Sequence, residues 1–417
     1  MKEKQKEYFG PGIFGILLAF FSYRGALSQL QSILSDLNGH TYVYLPYYFR
    51  KESVLEAWSM APYCMWHLLT LLGYKGLGIP LEHAAAYTNA IFALFTYGVF
   101  CFFIRRIYVH RMGKEPSALL MGALAFCLCV LQTAEAGWMR VEENAIAPLS
   151  VNPLHNPTYL AVRGFSVLCF CLVVDLWSTW KTDTCRGIFF PVEKGARKYY
   201  LLLSLCLFLS CMAKPTFAEM FIPAVGIMML FRWAKEGIKK DGSGKRYFAF
   251  LLRMFCCALP AVLYIFLQFF VYFIFGGSYG DGGSLVITPF LAVLKLFTEN
   301  VGLSLLLSMA FPVFLLVTDG RNILKGDMGK LALVSFGVSF LEAAFLGEST
   351  KLGHGDFLWP MMSGMLLLFL VTLADQLQLQ EEQADTWGRS VWILCGWGLF
   401  GIQSLSGILY MISMMQG

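Results

Sequence analysis

Charged residues are scarce in this chain of 417 residues. Only 14% of them are Asp, Glu, Lys or Arg, while 57% are hydrophobic, and soluble domains carry roughly 25% charged residues. Apolar runs recur along the whole length, at a density that excludes an ordinary soluble domain. The sequence therefore predicts an all-α polytopic membrane protein, with residues 1–417 forming a single integral membrane domain and no separate soluble domain.

Several common site motifs are also missing. The 12 cysteines lie mostly in apolar runs, where they behave as small hydrophobic residues, and none has the spacing of a zinc site. The glycine-rich stretch 275–283 follows an apolar helix and does not link a strand to a helix, so it does not fit a nucleotide-binding loop. We expect no disulfide framework, no metal site of this kind and no nucleic-acid partner. No small-residue cleavage site follows the first apolar run, so we expect that run to remain as a helix.

About 11 transmembrane helices are predicted, each near the ~20 residues that a bilayer requires. Their cores are 9–30, 82–104, 116–134, 158–180, 199–213, 216–232, 253–275, 300–318, 330–346, 357–375 and 391–413. The fifth and sixth are separated only by Lys214-Pro215. Proline removes a backbone donor and disfavours a continuing helix, so a break is expected there.

Lysine and arginine alternate between the segments that connect these helices. Most of the 32 basic residues lie in the N-terminus and in every second connection, and the positive-inside rule makes these segments cytoplasmic. The N-terminus is then cytoplasmic, and 34–80 is a long first extracytoplasmic loop whose aromatic runs predict interfacial helices. Five of the six histidines lie on the outer side or at its boundary: His40, His67, His83, His155 and His354. Basic cytoplasmic loops are compatible with a multi-pass protein of a bacterial plasma membrane.

The polar segment after the first helix contains Asp36 and His40, followed by an aromatic run up to Phe49. Further along come Pro62-Tyr-Cys-Met-Trp-His-Leu-Leu69 and the alanine-rich start of the second span, Leu81-Glu-His-Ala-Ala-Ala86. This order resembles the beginning of the C-type glycosyltransferases (GT-C). The resemblance implies a multi-span fold, a polyprenyl-phosphate sugar donor on the outer face, and Asp36 as catalytic base with His40 beside it. Here the acid is single, where many members have a pair.

The second outer segment contributes two groups of candidates. Glu142 and Glu143 are either a solvated pair or a second catalytic acid that could hold a divalent cation, Mg²⁺ or Mn²⁺. His155 and Asn156 lie between two prolines, which fix the loop that presents them. Arg163 follows within the next helix, where its guanidinium either clamps a phosphate or reaches lipid headgroups.

Lys214 lies at the outer break of a helix pair, at membrane depth, where a charge is costly and marks a functional candidate. Its partner is either a lipid-linked phosphate or Glu219. The last outer segment concentrates polar residues and one aromatic plate for a sugar ring: Glu348, Lys351, His354, Asp356 and Trp359. The alternative for this segment is an ordinary polar loop with a tryptophan at the membrane interface.

These features predict an inverting glycosyltransferase. It would move a sugar from a lipid-linked donor to a glycan, lipid or protein acceptor, with Asp36 as base. A transporter or flippase of lipid-linked saccharides is the main alternative, although few polar residues fall inside the spans and no inverted repeat is evident. An O-antigen-polymerase-like enzyme is the other alternative, but the large arginine-rich outer loop expected of it is missing.

Overall fold

A computed structural model describes residues 2–33, 35–49, 58, 62–134, 156–177, 179–180, 185–192, 196–236, 243–271, 284–349, 352–382 and 387–416. Within these residues the fold is almost wholly helical. The helices of the first half are α1 (Lys2–Gln29), α2 (Asp36–Asn38), α3 (Leu45–Phe49), α4 (Met65–Leu71), α5 (Leu81–Met112), α6 (Ala118–Val130), α7 (Pro157–Leu176) and α8 (Arg197–Ala213). Those of the second half are α9 (Thr216–Glu236), α10 (Ser243–Phe269), α11 (Val301–Ser308), α12 (Ala310–Ile323), α13 (Asp327–Phe345), α14 (Leu358–Glu381) and α15 (Trp387–Gln416).

Shorter elements connect these helices. Two π-helical stretches, Gly39–Tyr44 and Leu72–Gly76, and two 3₁₀ turns, Leu294–Leu296 and Leu352–His354, complete the helical part. The strands form two antiparallel pairs, β1 (Cys185–Arg186) with β2 (Pro191–Val192) and β3 (Leu285–Ile287) with β4 (Leu346–Glu348).

Eight of the described helices are long and apolar enough to cross a membrane: α1, α5, α7, α9, α10, α13, α14 and α15. The pair α11 and α12, bent by 78° at its break, is a ninth if it counts as one span. Helices α6 and α8, with 13 and 17 residues, occupy the other two predicted positions. The expectation of an all-α, multi-span integral membrane protein is confirmed.

Helix α14 lies at the centre of the bundle. The most apolar window of this helix is 100% buried inside the protein, against 22% for α10 and 28% for α1 and α15. It packs closely against α13, because a Cβ atom at Gly364 would come within 2.9 Å of the Phe336 Cα. The outward faces of α1, α10 and α15 carry leucine, isoleucine and phenylalanine side chains, as helices that contact lipid do.

Gln403 of α15 satisfies the backbone groups at the break between α11 and α12. Its Oε1 accepts a hydrogen bond from the Phe311 backbone N at 3.1 Å, and its Nε2 donates to the Ser308 carbonyl at 2.8 Å. Nε2 also donates to the Gln132 carbonyl at 3.2 Å. An interrupted helix inside a membrane requires such substitutes for its lost helical bonds, so this buried amide makes the bend possible.

Asp175, near the end of α7, organises the hairpin of β1 and β2 at one end of the bundle. Its carboxylate accepts hydrogen bonds from the backbone N of Ile188, Phe189 and Phe190, at 2.7, 2.9 and 2.6 Å. Helix α7 has 20 residues, so its first residues lie at the opposite end of a helix about 30 Å long. The candidate site described next lies at that other end.

Candidate functional site

The turn that carries Asp36 is built by its polar neighbours. The Ser35 Oγ accepts from the Asn38 backbone N at 3.1 Å and caps α2. Ser35 also donates to the Gln29 carbonyl at 2.6 Å, which ties the turn to the end of α1. Leu37 points inward and is fully buried, while Asp36 is exposed. The polar segment therefore presents one carboxylate to the outside of the bundle.

Asn156 connects this turn to α7. Its Nδ2 donates to the Asp36 Oδ2 at 3.1 Å. Its Oδ1 accepts from the Tyr159 backbone N and from the Thr158 Oγ1, both at 2.8 Å, and so caps α7. Pro157 occupies the first helical position, where proline is favoured. One amide thus fixes the helix start with its oxygen and orients the carboxylate with its nitrogen.

Lys214 extends this chain of contacts. Helix α8 ends at Ala213 and α9 begins at Thr216, as the Lys214-Pro215 pair predicts. The Lys214 Nζ donates to the Thr158 Oγ1 at 3.4 Å and lies over two rings, 4.3 Å from the centre of Trp359 and 5.6 Å from that of Tyr63. We call Asp36, Tyr63, Asn156, Thr158, Lys214 and Trp359 the Lys214 cluster.

The charge of Lys214 is held in an unusual environment. Its side chain is buried, and this burial lowers the pKa of the ammonium to about 8, although the carboxylates of Asp356, Asp36 and Glu219 act in the opposite direction. Its nearest described contacts are a hydroxyl group and two aromatic faces, which attract a cation through their ring electrons. A buried cation of this kind is a ready partner for an anionic ligand.

His40 lies one helical turn after Asp36 and pairs with His67 of α4. The His40 Nδ1 and the His67 Nε2 are 3.1 Å apart, and both side chains are buried. Burial lowers the pKa of His67 to about 3, while burial and then the charges of His67 and Lys214 place the pKa of His40 well below its usual value. Both rings are therefore neutral near pH 7, and one donates its proton to the other.

Arg163 has a different set of partners. Its guanidinium donates to the carbonyls of Leu128 and Cys129, at 3.2 and 3.3 Å, and lies 5.7 Å from the ring centre of Phe100. These carbonyls belong to the last turn of α6, where backbone acceptors lack helical partners. The described contacts thus give Arg163 the role of a buried cap for α6.

Trp359 and Asp356 join the site in different ways. Trp359 is buried, with the Lys214 ammonium against its ring and the Tyr159 ring 5.6 Å away, so the ring packs directly against the lysine. Asp356 is exposed, and its charge acts on Lys214. Glu348 is buried in β4, where its backbone pairs with that of Leu285.

The remaining predicted residues are not described by the structure. Glu142, Glu143, His155 and Lys351 lie outside the described residues, as does the side chain of His354. Sequence reasoning did not select Tyr63, Thr158 or His67 as site residues. Of these, Tyr63 and His67 carried a usable signal, because both lie in the aromatic segment that precedes the second span.

The structure thus brings Asp36, Asn156, Lys214 and Trp359 together from four distant parts of the chain, with Asp356 and His40 around them. Within the described residues, no group of three or more His, Cys, Asp or Glu side chains is arranged to hold a metal ion. The cluster combines an exposed carboxylate with a buried cation. Comparison of the chain with models of known families, with curated proteins and with solved structures finds no match.

Proposed function

We propose that this protein is a membrane glycosyltransferase of the GT-C type, which takes a sugar from a polyprenyl-phosphate donor at the end of the bundle where the Lys214 cluster lies. The observation that supports this most is the continuous chain of hydrogen bonds from Asp36 through Asn156 and Thr158 to Lys214. It joins a carboxylate and an ammonium in one cluster, and glycosyl transfer from a phosphate donor requires a base and a cation that binds the phosphate.

The exposed Asp36 carboxylate is suited to the role of base. It accepts the proton of the acceptor hydroxyl as the oxygen attacks the anomeric carbon of the donor. The bond from that carbon to the phosphate oxygen breaks on the opposite face, its electron pair remains on the phosphate, and the configuration inverts. The Asn156 amide keeps Asp36 oriented by its hydrogen bond at 3.1 Å.

Lys214 supports departure of the phosphate. Negative charge builds up on the leaving group, and a preoriented cation in a site that excludes water stabilises it strongly. Within the described residues the ammonium lies on aromatic rings and on a hydroxyl group, so a phosphate that binds there breaks no direct ion pair with a described carboxylate.

The proposal includes a topology. The N-terminus is cytoplasmic, 11 segments cross or enter the membrane, and 34–80 forms the first extracytoplasmic loop, which includes α2, α3 and α4. The alternation of basic residues between connections supports this orientation. The protein then lies in a bacterial plasma membrane with its site facing outward, where lipid-linked donors and glycan, lipid or protein acceptors meet.

Asp36→Asn tests the proposal directly. In proteoliposomes supplied with polyprenyl-phosphate sugars, we expect transfer to fall by roughly 10²- to 10⁴-fold, as is usual when a general base is removed. Glu115→Gln is the matched control, because Glu115 is an exposed carboxylate that pairs with Arg105 at 2.7 Å and is not part of the cluster. Full transfer by the Asp36→Asn protein would show that Asp36 is not the base.

Transport of lipid-linked saccharides remains a second candidate because of two carboxylates inside the spans. Glu219 of α9 and Glu342 of α13 interact electrostatically, and Glu219 also interacts with Lys214. Ionisable residues in neighbouring spans are typical of transport pathways. Translocation of a fluorescent lipid-linked saccharide by the Asp36→Asn protein, together with no transfer by the wild type, would favour this alternative.

A further inference from the structure

Gln268, at the end of the lipid-facing helix α10, connects two segments that the chain keeps far apart. Its side chain is 4% exposed. Its Nε2 donates to the Pro62 carbonyl at 3.1 Å and to the Cys211 carbonyl at 3.3 Å. Both amide hydrogens therefore have an acceptor, which identifies the nitrogen as the atom that faces the two carbonyls.

Both acceptors lie next to residues of the Lys214 cluster. Pro62 directly precedes Tyr63, whose ring lies 5.6 Å from the Lys214 ammonium. Cys211 lies in the last turn of α8, where the Ser210 carbonyl accepts from the Lys214 backbone N at 2.8 Å. Gln268 thus links the end of α8, which leads into Lys214, to the segment that contains Tyr63. The ring of Tyr63 is one of the two that the lysine contacts.

Tyr264, one helical turn earlier, makes only half of this connection. Its hydroxyl donates to the same Pro62 carbonyl at 3.0 Å, and its ring packs edge-on against Trp58 at 5.4 Å. It has no hydrogen bond to Cys211 within the described residues. The two side chains therefore differ in one testable respect: both donate to Pro62, and Gln268 also donates to Cys211 at the end of α8.

We propose that Gln268 is a positioning residue that holds Tyr63 and Lys214 in register for phosphate binding. A polar side chain in a lipid-facing helix is retained only where it finds partners, and here the partners are the two backbones that shape the cluster. The link that Gln268 makes between Pro62 and Cys211, which we call the clamp, follows from its two hydrogen bonds. The role in phosphate binding that we assign to the clamp rests on the proposed function.

Hydrogen–deuterium exchange of the full-length protein tests the clamp without any activity assay. Gln268→Met removes both donors at nearly constant volume, and Tyr264→Phe removes one donor to the shared carbonyl. We expect faster exchange in both 62–71 and 210–217 for Gln268→Met, but only in 62–71 for Tyr264→Phe. Faster exchange confined to 62–71 in both variants would overturn the clamp.

Binding of undecaprenyl phosphate in nanodiscs tests whether Gln268 positions the cluster for phosphate binding. For Gln268→Met we expect about tenfold weaker binding, as for the loss of one or two hydrogen bonds, and less than a threefold change for Tyr264→Phe. Looser packing also exposes Lys214 to water, so the alkaline limb of binding should move above the wild-type midpoint near pH 8. Identical affinities and pH profiles in the two variants would exclude the positioning role.

Two further variants keep the outcomes distinct. Gln268→Glu replaces the donor nitrogen with an acceptor of the same shape, and it serves if Gln268→Met does not fold. Lys214→Gln tests the phosphate site itself. If Lys214→Gln binds undecaprenyl phosphate like the wild type, the proposed phosphate site is wrong. If Lys214→Gln binds weakly but the Gln268 variants bind like the wild type, the positioning role alone is wrong.

Discussion

Lys214 is a buried cation that contacts aromatic rings and a hydroxyl group, while the charges of Asp356, Asp36 and Glu219 also act on it. An ammonium loses hydration when it is buried, and cation–π contacts and a single hydrogen bond replace only part of it. The protonated form therefore costs folding free energy, and this cost explains the low pKa, about 8. A side chain kept in this condition is typical of a site that binds an anion.

The sign of this effect predicts a pH dependence of stability. The pKa of Lys214 is about 8 in the folded protein and near the usual 10.5 when unfolded. Between these values the unfolded chain binds more protons at Lys214, so the contribution of this residue to stability should rise with pH across that window. Thermal unfolding in detergent should therefore show a more positive slope of stability against pH in the wild type than in Lys214→Met. An identical slope in both proteins would contradict the assignment.

The histidine pair predicts that stability also depends on pH at the acidic end of the range. Burial lowers the pKa of His67 from 6.5 to about 3, so the folded state resists protonation in that window and stability should fall as the pH drops through it. His67→Gln keeps a hydrogen-bonding side chain that does not titrate, and its melting temperature should depend less on acid pH. His83→Gln, which removes an exposed histidine outside the pair, is the control.

Individual residues show where sequence reasoning reaches its limit. The acid at Asp36 and the lysine at the Lys214-Pro215 break were visible as polar residues at helix ends. Their connection through Asn156 and Thr158 spans 120 and 56 positions of sequence, and a single sequence contains no measure of such distances. Trp359 illustrates the same limit, because its contact with Lys214 also joins distant positions of the sequence.

At the scale of elements, the end of α6 depends on a side chain from α7. The carbonyls of Leu128 and Cys129, in the last turn of α6, accept hydrogen bonds from the Arg163 guanidinium. A C-terminal helix end also attracts positive charge through the helix dipole. From sequence alone this arginine was expected either to clamp a phosphate or to reach lipid headgroups, and a capping role was not foreseen, although a carbonyl and a phosphate oxygen accept the same donors.

Arg163→Met separates the two roles. If the arginine caps α6, the variant should lose about 1–3 kcal/mol of stability, as expected for the loss of hydrogen bonds from a charged donor. The folded fraction should bind undecaprenyl phosphate as the wild type does. Calorimetry and binding in the same detergent measure both quantities, and a loss of affinity without loss of stability would instead favour phosphate binding.

At the scale of the whole molecule, apolar segments were readily predictable. Each of the 11 predicted cores coincides with a described helix or, in one case, with the bent pair α11 and α12. Hydrophobic length alone produces this agreement, since a bilayer requires nearly the same run from every span. The bend itself depends on Gln403 from a helix far along the chain, and no local pattern indicates it.

The orientation of the whole bundle predicts a labelling pattern. Ile33, which is 87% exposed, lies at the same end as the Lys214 cluster, whereas Glu115 is exposed at the other end of α5. A membrane-impermeant maleimide should label Ile33→Cys in intact cells, and it should label Glu115→Cys only after permeabilisation. The reverse pattern would place the cluster in the cytoplasm and contradict the proposed use of an external donor.

The contact between Lys214 and Trp359 has an optical consequence. An ammonium 4.3 Å from an indole centre shifts the electronic transitions of that ring, so the emission of Trp359 reports the position of the charge. A phosphate that draws the ammonium away would change this signal, and subtracting the spectrum of Trp359→Phe would isolate it from the other tryptophans. Trp359 can therefore serve as an intrinsic fluorescent probe, with which the binding of unlabelled lipid phosphates can be tested before any acceptor is known.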